Sequence, residues 1–367
     1  MRRILVPATA ALAAVTLAAA VTFAVSGRAS ARQLPVRPPV RHVFVVNLEN
    51  KGYDRTFGPS SPAPYLSRTL PGQGQLLTEY YGVAHNSLPN YIAQISGQGP
   101  NLGTQADCPW YADFRRLGRA GGQALGQGCV YPTSVPNLAD QLTAAGLSWR
   151  SYQEDMRRPC RHPEVGHLDD TQKARAGDQY AVRHNPFMYF HSVIDSPACA
   201  RSVVDLEALS ADLADPGRTP NLVYVTPNLC HDAHDAPCVD GQPGGLVSAD
   251  AFLRTWVPRI LASPAYRQDG MLVITFDESD GAVADSSACC GEGPAPNAPL
   301  PGILGLGGGR TGTVVLSPFV TPGSRNDTPY NHYGLLRTIE DLFGLPHLGY
   351  ASAPQVRSFG PDVFGQG

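Results

Sequence analysis

Two carboxylate-bearing pairs, one serine and an uneven set of histidines are the residues here whose types and spacing could do chemistry. Glu49-Asn50 directly follow a β-branched apolar run (42–48), and Asp277-Glu278 directly follow another (271–276). A third polar cluster, Asn228 to Asp235, follows the run 222–226 and carries His231, Asp232 and His234. Carboxylates do not share a cleft unless a cation or protons relieve their repulsion. Glu49, Asp277 and Glu278 offer three hard oxygen ligands and the Asn50 amide a fourth, a donor set suited to a divalent metal ion. Such an ion lowers the pKa of a coordinated hydroxyl and stabilises charge on a transferring phosphoryl group. Taken singly, each cluster also has a plain structural reading. Glu49-Asn50 could cap the segment after a strand, and the stretch 277–281 could be a solvated turn.

The candidate nucleophile lies in His85-Asn86-Ser87-Leu88-Pro89-Asn90-Tyr91. Ser87 stands at the entrance of an apolar segment that can form a helix, where a serine is ordinarily an N-cap. The same position aims backbone N–H groups and the positive helix end at an anion. No GxSxG elbow is present, so an esterase or lipase of that type lacks its signature. His231, His234 and His332 sit beside Asp or Asn in loop-like segments, suited to phosphate contact or to protonating a leaving alcohol. His162, His167, His184, His191 and His347 have no such context and read as ordinary surface or core residues.

The elements that must position these residues follow from apolar periodicity. Short apolar runs at 42–48, 222–226, 271–276 and 313–316 read as buried strands, and 135–145, 248–261 and 333–343 as helices. Their alternation predicts an α/β domain with a mostly parallel central sheet flanked by helices. In such sheets ligands bind beyond the carboxyl ends of the strands, where the three polar clusters emerge. The stretch 282–309, dense in Gly, Pro and Ala, reads as a long loop after a strand.

With 367 residues, 43% apolar and 16% charged, the chain can bury one large core. Its formal charge is −3 with no long basic run, which leaves nucleic-acid binding without support. No stable protein partner is implied. Arg2-Arg3, an apolar run from 4 to 25 and Ala29-Ser30-Ala31 have the form of a signal peptide, with a mature start near Arg32. An uncleaved anchor is the alternative, since the run is long enough to span a bilayer. The protein is thus expected to be secreted or held in the cell envelope. Loss of Arg2, Arg3 and Arg28 would bring the charge to −6. A Pro-rich linker (32–40), a main domain (41–350) and a C-terminal tail (351–367) complete the expected organisation. Eight cysteines in an exported chain point to disulfides, with 108–129, 160–199 and 230–238 as plausible local pairs. The adjacent Cys289 and Cys290 need a vicinal bridge or other partners. No pair of CxxC knuckles supports a zinc site.

Taken together and in order, five segments resemble the motifs of the bacterial phosphoesterase family that includes secreted acid phosphatases and phospholipases C. They are 45–54 (VVNLENKGYD), 85–91 (HNSLPNY), 226–235 (TPNLCHDAHD), 274–278 (ITFDE) and 330–341 (YNHYGLLRTIED), and the resemblance covers roughly residues 41–350. Asn86 stands where the family usually has Pro, a departure expected to loosen the turn before Ser87 rather than alter the chemistry. The resemblance implies an alkaline-phosphatase-like α/β fold. It also implies a metal ion held by Glu49, Asn50, Asp277 and Glu278, with Ser87 as the remaining ligand and the nucleophile. His234 and His332 would then be catalytic, and His85, Asn90, His231 and Asp232 would contact substrate. The implied substrate is a phosphate monoester, with phospholipids and phosphoinositides among the candidates. A phospholipase C-type diesterase and a non-catalytic phosphate- or glycan-binding protein are the alternatives.

Overall fold

The computed structural model describes residues 38–291 and 294–365. The predicted signal segment and most of the proline-rich linker lie outside the described residues. Eight strands form the central sheet: β1 (His42–Leu48), β2 (Gln75–Leu77), β3 (Trp149–Gln153), β4 (Val203–Asp205), β5 (Leu222–Thr226), β6 (Gly270–Phe276), β7 (Thr313–Leu316) and β8 (Ser324–Asn326). Their order is β8-β2-β7-β6-β1-β5-β3-β4. Pairing is parallel from β6 through β4, while β7 runs antiparallel to both of its neighbours. The mostly parallel α/β architecture is as expected.

The sheet is covered on both faces, which is why its central strands read as unbroken apolar runs instead of alternating ones. Val43 and Val45 of β1 point into one core with Tyr224 and Val273, while Phe44 and Val46 point into the other with Val225 and Ile274. Four helices matter for the argument: α1 (Ser87–Ser96), α2 (Leu138–Ala144), α3 (Gly245–Ala262) and α4 (His332–Phe343). Tyr91, Ile92 and Ile95 of α1 share the first core with Leu335, Leu336 and Ile339 of α4. Phe252, Leu253 and Val257 of α3 fill the second.

Local chemistry sets the helix limits. The Asn137 side chain accepts from the N–H groups of Ala139 and Asp140, so α2 starts later than its apolar pattern alone suggests. Gly97 ends α1 in the left-handed conformation (φ 65°), and a Cβ there would lie 2.3 Å from the Leu348 carbonyl oxygen. The segment after residue 350 is packed onto the domain, with Val356, Phe359 and Val363 buried. The stretch 282–309 contains no named helix or strand among the described residues. Bridges join Cys108–Cys129, Cys160–Cys199, Cys230–Cys238 and the adjacent Cys289–Cys290.

Candidate active site

β6, β1 and β5 are parallel neighbours whose carboxyl ends lie side by side. Backbone bonds join the segments that leave them: Asp277 N–H donates to the Leu48 carbonyl (3.0 Å), and Glu49 N–H to that of Asp232 (2.7 Å). Glu49, Asp232 and Asp277 are fully buried and Glu278 nearly so. Burial raises the Glu49, Asp232 and Glu278 carboxyls well above the usual carboxylate range, and raises that of Asp277 as well.

Ser87 opens α1 as its first helical residue, and its hydroxyl does not cap the helix. The side chain donates instead to Oε2 of Glu49 at 2.8 Å, while Oε1 of Glu49 accepts from the Tyr91 hydroxyl at 2.5 Å. The helix entrance is served by Asp107, whose Oδ1 accepts from the Leu88 N–H at 2.9 Å. The Asn86 amide donates to the Gln105 carbonyl at 2.9 Å, a bond that braces the turn before Ser87. Asn90 braces the same turn. Its oxygen accepts from the N–H groups of Val83 and Ala84, and its nitrogen donates to the carbonyls of Ala84 and Asn86. Asn90 therefore shapes the turn, with its amide consumed there and unavailable to substrate.

The residues fit a cation. The side-chain oxygen of Asn50 faces only acceptors, Oε2 of Glu49 and Oδ1 of Asp277, and would bond to them only if the amide were turned over. Oδ2 of Asp277 is buried without a hydrogen-bond partner. A divalent ion satisfies such converging oxygens where no hydrogen is available. His85 sets Glu278, its Nδ1 in close contact with Oε2 and its Nε2 donating to the Asp285 carbonyl at 3.0 Å.

His184 belongs to this cluster, contrary to the expectation that it is an ordinary residue. Its Nδ1 lies 3.0 Å from Oδ2 of Asp232, and its Nε2 is 3.4 Å from Oε1 of Glu49 without the alignment of a hydrogen bond. The ring stacks on Tyr91, and burial holds its pKa well below the ordinary histidine value. Glu49, His184 and Asp232 form a group with metal-ligand spacing. Arg183, buried beside it, reaches Nε2 of His234 at 3.3 Å. Both residues come from a one-turn 3-10 helix (Val182–His184) between β3 and β4, too short to give a periodic signal. The pairing of a charged residue with a histidine inside an apolar segment, Arg183-His184 before Asn185-Pro186-Phe187, was the available clue.

The remaining histidines separate. His234 is one-third exposed at the rim, with Nδ1 on Asp235 at 2.7 Å and its backbone N–H donating to Oδ1 of Asp232. His332 is fully buried; its Nε2 donates to the Asp277 carbonyl at 2.5 Å, and its Nδ1 meets the Tyr80 hydroxyl at 3.1 Å. Burial lowers its pKa to about 4, so both ring nitrogens are committed and it holds a neutral form. His231 is not brought to the cluster, because Glu154 holds its Nδ1 at 2.9 Å and its ring lies against Phe252.

An acid phosphatase of Aspergillus fumigatus is 28% identical over 306 residues, covering 83% of this chain and 55% of the relative. A phosphate-repressible acid phosphatase of Penicillium chrysogenum is 27% identical, covering 88% of this chain and 65% of the relative. The chain thus spans between about half and two-thirds of these fungal relatives. A phosphatidylinositol-3-phosphatase of Mycobacterium tuberculosis is 28% identical, covering 89% of this chain and 84% of the relative. Among solved structures, a Bacteroides thetaiotaomicron protein from work on glycosaminoglycan metabolism aligns with a TM-score of 0.51 at 12% identity, over 90% of this chain and 82% of that one. That likeness is one of fold alone. The Phosphoesterase family matches residues 65–346, and the chain belongs to that family.

Proposed function

We propose that this protein is an exported, metal-dependent phosphatase that hydrolyses phosphate monoesters through a phosphoserine at Ser87. The observation that carries the reading is the Ser87 hydroxyl at the start of α1, bonded at 2.8 Å to a buried glutamate among three further buried carboxylates. Glu49, Asn50, Asp277 and Glu278 would hold a divalent ion with Ser87 Oγ. When bound, that ion supplies electrostatic stabilisation of the serine oxygen and of the phosphoryl charge. Ser87 gives up its proton along the bond to Glu49 and attacks phosphorus in line with the departing alcohol. When Arg183 turns from Nε2 of His234 to the phosphoryl charge, that nitrogen is free to carry a proton and hand it to the alcohol. Water, losing a proton to the now neutral His234, then attacks phosphorus, and the serine oxygen leaves with the proton held by Glu49, which restores the hydroxyl. His332 acts as a positioning residue through the Asp277 backbone. Four disulfides among the described residues agree with an oxidising, extracytoplasmic setting.

The Mycobacterium tuberculosis relative is named a phosphatidylinositol-3-phosphatase, which makes a phosphoinositide headgroup the first lipid substrate to assay. The test is a panel of soluble phosphomonoesters, phosphodiesters and phosphoinositides, assayed with and without added divalent ions, with Ser87→Ala as the blank. Release of inorganic phosphate is expected. Release of a phosphorylated alcohol from a phospholipid would replace this reading with a phospholipase C.

A further inference from the structure

The loop between β6 and β7 turns large aliphatic side chains into solvent next to the Ser87 turn. Leu300 is 51% exposed, Leu304 68% and Leu306 65%, with Ile303 between them also exposed. Residues 293–309 carry no ionisable side chain. Four exposed aliphatic side chains on one seven-residue loop suit an interaction site, whereas leucines scattered singly do not. The loop is fastened at its base to the active-site turn. The Pro301 carbonyl accepts from the His85 N–H at 3.0 Å, and Gln105 donates to the carbonyls of Leu300 and Pro301.

A basic hairpin adjoins it. Strands Arg115–Ala120 and Gln123–Gln127 pair antiparallel, and Asn297 ties the second strand to the loop through Ala124, Gly126 and Gln127. Arg115, Arg116 and Arg119 are exposed or nearly so, and no carboxylate pairs with them among the described residues. No acidic residue occurs from 114 to 139. The hairpin also exposes Leu117 at 80%, and Leu102, bonded through its N–H to Gln127, is 61% exposed. In a chain of net negative charge, this is a local basic hairpin beside an aliphatic loop.

We infer that the Leu300–Leu306 loop and the Arg115–Gln127 hairpin form a docking surface for an anionic phospholipid bilayer. The aliphatic tip enters the acyl boundary and the arginines meet the lipid phosphates. The absence of carboxylates across both segments suits a negatively charged surface, and the attachment through His85 sets the docked bilayer beside Ser87. The inference rests on the reading of the site as one that acts on phospholipid monoesters.

The test places a reporter in the loop of the full chain. Leu304→Trp is mixed with phosphatidylcholine vesicles, or with equal parts phosphatidylcholine and phosphatidylserine, in which the acyl chains are brominated. Quenching beyond that of the parent is expected with the anionic vesicles and little with the neutral ones. No added quenching on anionic vesicles overturns the inference, and so does a loop-dependent dimer in its place. A second variant, Ile303→Ser/Leu304→Ser/Leu306→Ser, is assayed on a vesicle-borne phosphoinositide and on soluble p-nitrophenyl phosphate. Its kcat/KM is expected to fall by about tenfold or more on vesicles and to hold on the soluble ester. An equal fall on both substrates assigns the loop to propping the Ser87 turn and overturns docking. A parent chain that hydrolyses neither substrate, while Leu304→Trp still shows the added quenching on anionic vesicles, refutes the phosphatase reading and leaves the docking surface standing.

Discussion

The hydroxyl of Ser87 donates to Oε2 of Glu49 across 2.8 Å, joining the first turn of α1 to the carboxyl end of β1. The two residues are 38 positions apart, and the bond exists because α1 packs its Tyr91 and Ile92 against the sheet face that β1 shares. Removing the hydroxyl should abolish turnover without unfolding the chain. Ser87→Ala is expected to lower kcat by about a thousandfold or more. Its thermal midpoint should stay within a few degrees of the parent, because only one hydrogen bond is lost. Steady-state kinetics and calorimetry on the two proteins check this.

Four buried carboxylates at one sheet edge repel each other unless a cation or protons intervene. Chelation should therefore abolish activity, and a divalent ion should restore it. The same ion should raise the thermal midpoint of the parent by several degrees, as expected for a ligand bound by the native state alone. Asp277→Asn should remove most of that rise. An ion-independent midpoint in the parent would contradict the ligand set.

His184 couples Asp232 to Glu49 from a segment with no regular strand or α-helix of its own. His184→Ala should reduce activity by about 10- to 100-fold, the range typical of residues that orient or supply ligands at such sites. His231→Ala, by contrast, should change kcat/KM little, since Glu154 holds that ring away from the cluster.

Glu340 in α4 gives a pH prediction independent of the site. Burial pushes its carboxyl up to about 8, Oε1 accepts from the Leu348 N–H at 2.8 Å, and Oε2 and the Gln141 side-chain oxygen are both buried without partners. A protonated Glu340 satisfies that pair. The folded pKa lies above the unfolded one, so the native state binds the extra proton between about pH 4.5 and 8. Stability from this residue is thus fully present below the unfolded pKa and lost as pH rises toward 8, on the order of 3–5 kcal/mol across the window. Glu340→Gln keeps the donor and removes the titration. Denaturant melts should show the variant close to the parent at pH 5 and more stable at pH 8.

Much of this was legible before the structure. The central strands declared themselves because burial on both faces demands continuous β-branched runs, and their carboxyl ends then located Glu49, Asn50, Asp277 and Glu278. The strands toward the two sides of the sheet, β3 and β4 at one and β2 and β8 at the other, were not legible, being short or polar. Ser87 was recognised from its motif, but its bond to Glu49 is a tertiary contact that no local pattern encodes. The histidines were the weakest ground. His184 and Arg183 owe their position to how an irregular segment crosses the strand ends, and the burial of His332 beneath Asp277 depends on how α4 docks. Asn90 was implied as a substrate contact by the family resemblance alone. Its four bonds to the backbone show it spent on the turn.

The central claim is that Ser87 carries the phosphoryl group, and acid quenching of the enzyme during turnover of a phosphomonoester tests it most directly. Mass spectrometry of the digested protein should find phosphate on the peptide containing Ser87, and none in Ser87→Ala. Phosphate trapped on another residue, or undiminished turnover by Ser87→Ala, would contradict the account.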